Sequence, residues 1–333
     1  MEKLYLVTGA AGHLGSAIVN ALNERGEKVR ALVLPGDRNA GNLTGLCEIF
    51  YGDVRDISTL CGFFKNPGNA ELICIHAAGI VSISSKYDQR VYDVNVNGTK
   101  NVISMCFKNK VSKLIYVSSV HAIPEKEDGG IITETYDFDP GKVVGLYAQT
   151  KAKATRAVLA ASKKGLNAYV VHPSGIIGPG DYGNGHSTQL IIDYIKGRLV
   201  AYVNGGYDFV DVRDVAQGII NCCEIGKSGE CYILSNEYCK VGDMLDILHD
   251  ITKKRKIRTV LPYWFAKLTA PLAELYYKIL CQPPLYTPYS MHTIFSNTRF
   301  SHEKASRELS FRPRSLRETL KDTVFWLKKV NRI

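Results

Sequence analysis

Tyr147 and Lys151 stand four residues apart in "GLYAQTKAKA" (145–154), a run of good helix formers. Positions i and i+4 share one face of a helix, so this spacing aims a phenol and an ammonium into the same space. A free phenol titrates near pH ~10, too high for efficient proton exchange near neutrality. A neighbouring cation favours the phenolate and is expected to lower that value. The chemistry on offer is proton transfer to or from an oxygen. By itself the spacing is equally that of an exposed helix face, so its meaning depends on what the rest of the chain positions around it.

The amino-terminal stretch supplies a second group of residues. An apolar run, "LYLV", leads into "TGAAGHLG", which places Gly9, Gly12 and Gly15 at intervals of three just before a helical pattern. Glycine permits a tight turn and a close backbone approach to a pyrophosphate, while the helix N-terminus offers free N–H groups and partial positive charge. The turn, with His13 and Leu14 inside it, reads as a dinucleotide site. An oxidised nicotinamide is itself positive and would act on Tyr147 in the same direction as Lys151.

These residues need a scaffold, and the first half of the chain describes one. "KLYLVTG", "KVRALVL", "CEIFYGD", "ELICIHAAG", "KLIYVSS" and "NAYVVHPSG" each hold a short apolar run ending in small or polar residues, with helical patterns between them. Buried parallel strands look like this, and ligands collect beyond their carboxyl ends. The expected class is α/β, a Rossmann-type doubly wound parallel sheet with a smaller, interleaved, mostly α-helical C-terminal substrate lobe. Residues 1–173 are assigned to the nucleotide-binding domain, with 205–235 returning to it. Residues 174–204 and 236–333 form the substrate lobe.

The G-x-x-G-x-x-G spacing resembles that of the short-chain dehydrogenase/reductase superfamily, whose other fingerprints follow in order. They are "GDVRD", "HAAG", "NVNGT", "YVSS" and Y-x-x-x-K, and the length and "FVDVRDVA" point to the extended branch. The resemblance implies that Asp53, with Val54 beside it, holds the adenine, and that Ala77, Ala78 and Gly79 pack on the adenosine ribose. It further implies Asn95 near the active site, Ser119 donating to the reacting oxygen, Tyr147 exchanging the proton and Lys151 bonding the nicotinamide ribose. The backbone after Pro173, at Gly175 and Ile176, would receive the carboxamide. Ser119 is preferred to Ser118 because it aligns with the last serine of the family's run. The cofactor is NAD or NADP: the family's acidic position falls on Val33 and its usual Arg position on Leu34, with Asp37 and Arg38 in the turn beyond.

The same resemblance frames the substrate. Sugar-nucleotide epimerases and dehydratases usually carry Asn where this chain has Gly175. The distal half, with "LPYWFAKL", "FSNTRF" and "RELSFRPRSLRETLKDTVFWLK", is more similar to dihydroflavonol 4-reductase-like and 3β-hydroxysteroid dehydrogenase-like enzymes. The expected activity is therefore an NAD(P)-dependent interconversion of an apolar ketone and a secondary alcohol. A sugar-nucleotide epimerase or dehydratase and a non-catalytic nucleotide sensor are the alternatives.

Composition narrows the classes further. The 333 residues are 45% hydrophobic and 22% charged, as in an ordinary globular chain, and no run of about 18 uncharged apolar residues marks a membrane span. The start reads as a strand and turn with no signal peptide, and nine scattered cysteines without C-x-x-C read as reduced thiols. Both point to the cytoplasm. The net charge of +10 includes "KKRK" (Lys253 to Lys256), read as a solvated face because no nucleic-acid motif accompanies it. No metal site is expected. A homodimer is expected by family analogy, and the Trp264 to Leu280 segment is read as a helix closing over an apolar substrate, with a membrane-surface helix as the alternative.

Overall fold

The computed structural model describes residues 2–66, 68–83, 86–126, 128–183, 185–269 and 288–333. All six apolar runs form strands: β1 (Lys3–Thr8), β2 (Lys28–Val33), β3 (Glu48–Tyr51), β4 (Glu71–His76), β5 (Lys113–Val117) and β6 (Ala168–Pro173). Successive side chains on a strand face opposite ways. On β1, Leu6 joins one core layer with Leu72, Leu114 and Val170, whereas Tyr5 and Val7 join another with Ile73, Ile115 and Val171. Both faces are covered, which is why these strands are continuously apolar.

The covering helices are α1 (His13–Glu24), α2 (Ile57–Phe63), α3 (Gln89–Tyr92), α4 (Thr99–Lys108) and α5 (Leu146–Lys163). A π-helical turn, Asp93–Gly98, joins α3 to α4. Asp56 and Asp88 cap α2 and α3 by accepting from Ser58 N and Arg90 N, which supplies partners for N–H groups the helices leave free.

The second half adds β7 (Gly175–Ile177), α6 (His186–Ile195), β8 (Tyr202–Val203), β9 (Gly206–Asp211), α7 (Val212–Ile225), β10 (Cys231–Leu234), β11 (Glu237–Lys240), α8 (Val241–Thr252) and β12 (Val260–Leu261). Helices α9 (263–269), α10 (Pro288–Phe295), α11 (Glu303–Leu309) and α12 (Leu316–Lys329) follow. The main sheet has seven strands in the order β10-β6-β5-β4-β1-β2-β3, all parallel. This is the Rossmann arrangement, and its crevice opens between β1 and β4, where the direction of winding reverses.

The segment 205–235 divides its loyalties. Helix α7 packs on α1, and β10 extends the main sheet beside β6. Strand β9 instead pairs with β7 and β11 in a three-stranded sheet of its own. Beyond that sheet a third apolar cluster joins α6, α8 and α12 through Ile191, Leu248 and Leu320. Of the expected Trp264 to Leu280 helix, only the part through Thr269 lies among the described residues, and there Trp264 and Leu268 are exposed. No helix of the described residues is long and apolar enough to cross a membrane. The eight described cysteines are all free thiols.

Candidate active site

A cavity of about 800 Å³ lies along the carboxyl ends of the strands, running from Leu34 and Asp53 at one end to Ser119 and Tyr147 at the other. That volume is within the range of small-molecule and cofactor sites. The glycine turn after β1 forms one wall, and its tightness is measurable. A Cβ on Gly15 would lie 2.1 Å from the Gly9 carbonyl oxygen, and one on Gly9, at φ +67°, would lie 2.7 Å from Ala78 Cα. No larger residue fits either place without moving backbone, so the turn is shaped for close approach. His13 adds a strut, its Nε2 lying 3.1 Å from the Pro179 carbonyl oxygen.

Sixteen of the predicted site residues line the cavity: Gly9, Gly12, His13, Leu14, Gly15, Asp53, Val54, Ala77, Ala78, Gly79, Ser119, Tyr147, Lys151, Pro173, Gly175 and Ile176. Asn95 is the exception among them. It is buried behind the wall, in the π-helical turn. Its Oδ1 accepts from Ile80 N (2.8 Å), and its Nδ2 donates to Ile80 O and to Thr150 Oγ1 (both 3.1 Å). The amide thus ties the strand-end loop to the helix of Tyr147. A Cβ on Gly79 would meet both Lys151 Nζ (3.2 Å) and Asn95 Oδ1 (3.3 Å), so Gly79 is what lets these groups close on the loop.

The two serines after β5 part ways. Ser118 Oγ is 2.7 Å from Thr155 Oγ1 on α5 and is spent on packing. Ser119 Oγ accepts from His121 N (3.2 Å) and lines the cavity together with Tyr147. Burial of both groups works against the expected lowering of the phenol. Burial pushes Tyr147 up to about 12, with the Ser119 contact opposing it, and pushes Lys151 down to about 8. Each charged form loses hydration that the site does not replace. Lys151 donates to the Val117 carbonyl (2.8 Å) and lies 5.1 Å from the Tyr116 ring centre.

At the other end, the Arg55 guanidinium clamps both oxygens of Asp53 (2.6–3.1 Å) and holds its carboxyl below the usual range. Asp37 spends an oxygen on Asn39 N (2.9 Å), while Leu34 projects half-exposed at the rim.

The model of the NAD dependent epimerase/dehydratase family matches residues 5–234, which span every one of these features. The chain belongs to that family. Epimerase/dehydratase members are NAD-dependent enzymes, and the glycine cradle, the cavity length and the buried lysine fit a nicotinamide dinucleotide. Sterol demethylase protein B of Methylococcus capsulatus is 32% identical to this chain, covering 97% of it and 98% of its own length. A Synechocystis protein assigned as a dihydroflavonol 4-reductase is 30% identical over 98% of this chain and 95% of its own. The crystal structure of gox2253 superposes with a TM-score of 0.84 at 32% identity, covering 100% of this chain and 99% of the other.

Three further residues of the cavity wall carried no signal in the sequence reading. His121, Tyr207 and Tyr289 line the cavity beside Tyr147 and come from three distant segments. His121 stacks on Tyr207 at 5.6 Å between ring centres and meets Tyr147 edge-on at 6.0 Å. Tyr289 packs on Gly145, where a Cβ would lie 2.3 Å from its ring. His121 could have been noticed from its place two residues after Ser119. Nothing local marks the two tyrosines.

Proposed function

We propose that the protein is an NAD(P)-dependent oxidoreductase interconverting an apolar ketone and a secondary alcohol. The observation that carries this reading is the wall opposite the glycine turn, which is built of aromatic rings around Tyr147, Ser119 and Lys151. Gly175 supports it. A Cβ there would lie 2.7 Å from the Tyr207 ring, so the place where sugar-nucleotide enzymes of this family carry an amide is filled by a phenol.

In this reading Ser119 Oγ donates to the substrate oxygen and polarises the carbonyl. Tyr147 gives that oxygen its proton in reduction and takes it back in oxidation. The bound dinucleotide supplies or receives the hydride. Lys151 holds the ribose end and adds positive charge, and the cofactor's own charge in the oxidised state must furnish the lowering of the phenol that Lys151 alone does not. The aromatic wall excludes water from the reacting carbon.

The test is net change in nicotinamide absorbance with purified protein and a panel of aryl ketones, steroid ketones, their alcohols and nucleotide sugars. Turnover of a ketone or alcohol is expected. Tyr147→Phe is expected to lose about 10²-fold or more in kcat while keeping most of its cofactor affinity. Conversion of a nucleotide sugar without net absorbance change would replace this reading with epimerisation.

A further inference from the structure

No step of the proposed reaction uses a chain of buried polar side chains that runs behind the glycine cradle. Thr8 ends β1 and His76 ends β4, opposite each other in the strand register. Both take the parity of Leu6 and Leu72, so they face the layer that holds α4 and α5. Thr8 Oγ1 accepts from Ala78 N (3.1 Å) and lies 2.7 Å from His76 Nδ1. On the other side of the ring, Nε2 lies 3.0 Å from Thr99 Oγ1, which donates to the Asn95 carbonyl at 2.7 Å. Thr8, His76 and Thr99 are no more than 1% exposed, and none of the three lines the cavity.

These bonds fix where the protons sit, because a hydroxyl has only one. That of Thr99 is committed to the Asn95 carbonyl, so Thr99 accepts from His76 and Nε2 carries the ring proton. Nδ1 is then bare and takes the proton of Thr8, whose oxygen keeps a lone pair for the Ala78 N–H. Both ends of the chain demand the same form of the ring, neutral and in a single tautomer. Burial, with Lys151 nearby, pulls the imidazole down to about 3, in agreement with that form. Asn95 carries the chain onward: its Nδ2 donates to Thr150 Oγ1 (3.1 Å), which donates to the Tyr147 carbonyl (2.8 Å).

We infer that His76 is a positioning residue whose Nε2–H tautomer couples the dinucleotide wall at Ala78 to the Asn95 turn that supports the helix of Tyr147. Ala78 lines the cavity, and its partner Thr8 keeps its orientation only while Nδ1 accepts the hydroxyl proton. A bare Nδ1 requires in turn that Thr99 take the proton on Nε2. Loss of the Thr99 hydroxyl therefore releases the ring, then Thr8, then the backbone of residues 77–79, although Thr99 itself never touches a ligand. The coupling concerns the dinucleotide and holds whichever substrate is turned over.

The experiment measures NAD affinity by isothermal titration calorimetry for wild type, Thr99→Val, Thr8→Val and the double variant. Valine keeps the outline of threonine and removes the hydroxyl. Thr99→Val is expected to weaken NAD binding by about fivefold or more, the low end of coupling between linked sites. In the Thr8→Val background, where the chain is already cut, the same substitution is expected to change affinity by less than about twofold. Unchanged affinity in Thr99→Val, or losses that multiply in the double variant, overturns the coupling. A 15N spectrum of the histidine rings in the wild-type protein tests the tautomer without any substitution. His76 is expected to show Nε2 protonated and Nδ1 bare. A ring protonated on Nδ1, or on both nitrogens, overturns the inference whatever the variants do.

Discussion

Lys151 is a buried amine that weakens the fold around it. Its ammonium is buried with a single carbonyl partner among the described residues, and burial lowers it from an ordinary lysine value to about 8. Because the folded value lies below the unfolded one, near 10.4, the unfolded chain binds more protons between those limits. Stability is therefore lowest where lysine is charged in both states, and it rises as pH climbs from about 8 toward 10. The handicap at neutral pH is of order 3 kcal/mol. Lys151→Met is expected to stabilise the cofactor-free protein at pH 7 and to abolish that rise, read by urea unfolding at several pH values. A variant no more stable than wild type would mean that the buried amine finds compensation elsewhere. At the opposite end of the cavity, Leu34 sits at the rim where the family's usual Arg would contact a 2′-phosphate. Leu34→Arg is expected to raise affinity for NADP relative to NAD by about tenfold, measured by fluorescence titration. An unaltered ratio would move the ribose away from residue 34.

At the scale of elements, irregular backbone does the positioning. The π-helical turn at Asp93–Gly98 turns Asn95 inward so that it bridges Ile80 to Thr150. Such turns interrupt the regular ladder and frequently occur at functional sites. Asn95→Ala would leave the Ile80 N–H and carbonyl without these partners, and is expected to destabilise by about 1–3 kcal/mol while loosening the helix of Tyr147. Thermal unfolding and kcat should fall together. The glycine turn allows a sharper test. Gly15→Ala places a methyl 2.1 Å from the Gly9 carbonyl oxygen, which only a backbone shift can relieve. Dinucleotide binding is expected to weaken by about tenfold or more while far-UV circular dichroism stays close to wild type, because the damage is confined to the turn. Undiminished binding would show that the dinucleotide does not lie against this turn.

Across the whole molecule, a partly buried charge network binds β9 and α7 to the C-terminal segment. Asp211 caps α7 and pairs with Arg213, which also reaches Asp322 on α12. Arg314 is held by Asp214 through both its Nε and Nη2 (2.8–3.1 Å) and lies 3.7 Å from Asp211. Removing one partner of such a cluster strands the other charge. Asp214→Ala is expected to cost about 3 kcal/mol and several degrees of Tm, measured by calorimetry. A loss within experimental error would assign the cohesion of this region to its apolar packing. The basic run Lys253 to Lys256 is exposed and, among the described residues, makes only the Lys256–Asp246 ion pair, the behaviour of a solvated face.

The sequence by itself determined the order of the strands along the chain, the glycine turn and the helix that aligns Tyr147 with Lys151. These depend on short-range rules: apolar runs, glycine spacing and the helical repeat. It could not foresee that β9 would leave the main sheet, since an apolar strand reads alike whichever sheet it joins. It also left out the burial that works against the lowering of the Tyr147 phenol, because periodicity reports which groups share a face but not how much water they lose. Only the tertiary structure decided that His121, Tyr207 and Tyr289 meet at one wall, and that Asn95 stands behind the cavity instead of in it. Those outcomes arise from contacts between segments 15 to more than 150 residues apart, whose partners no local pattern names.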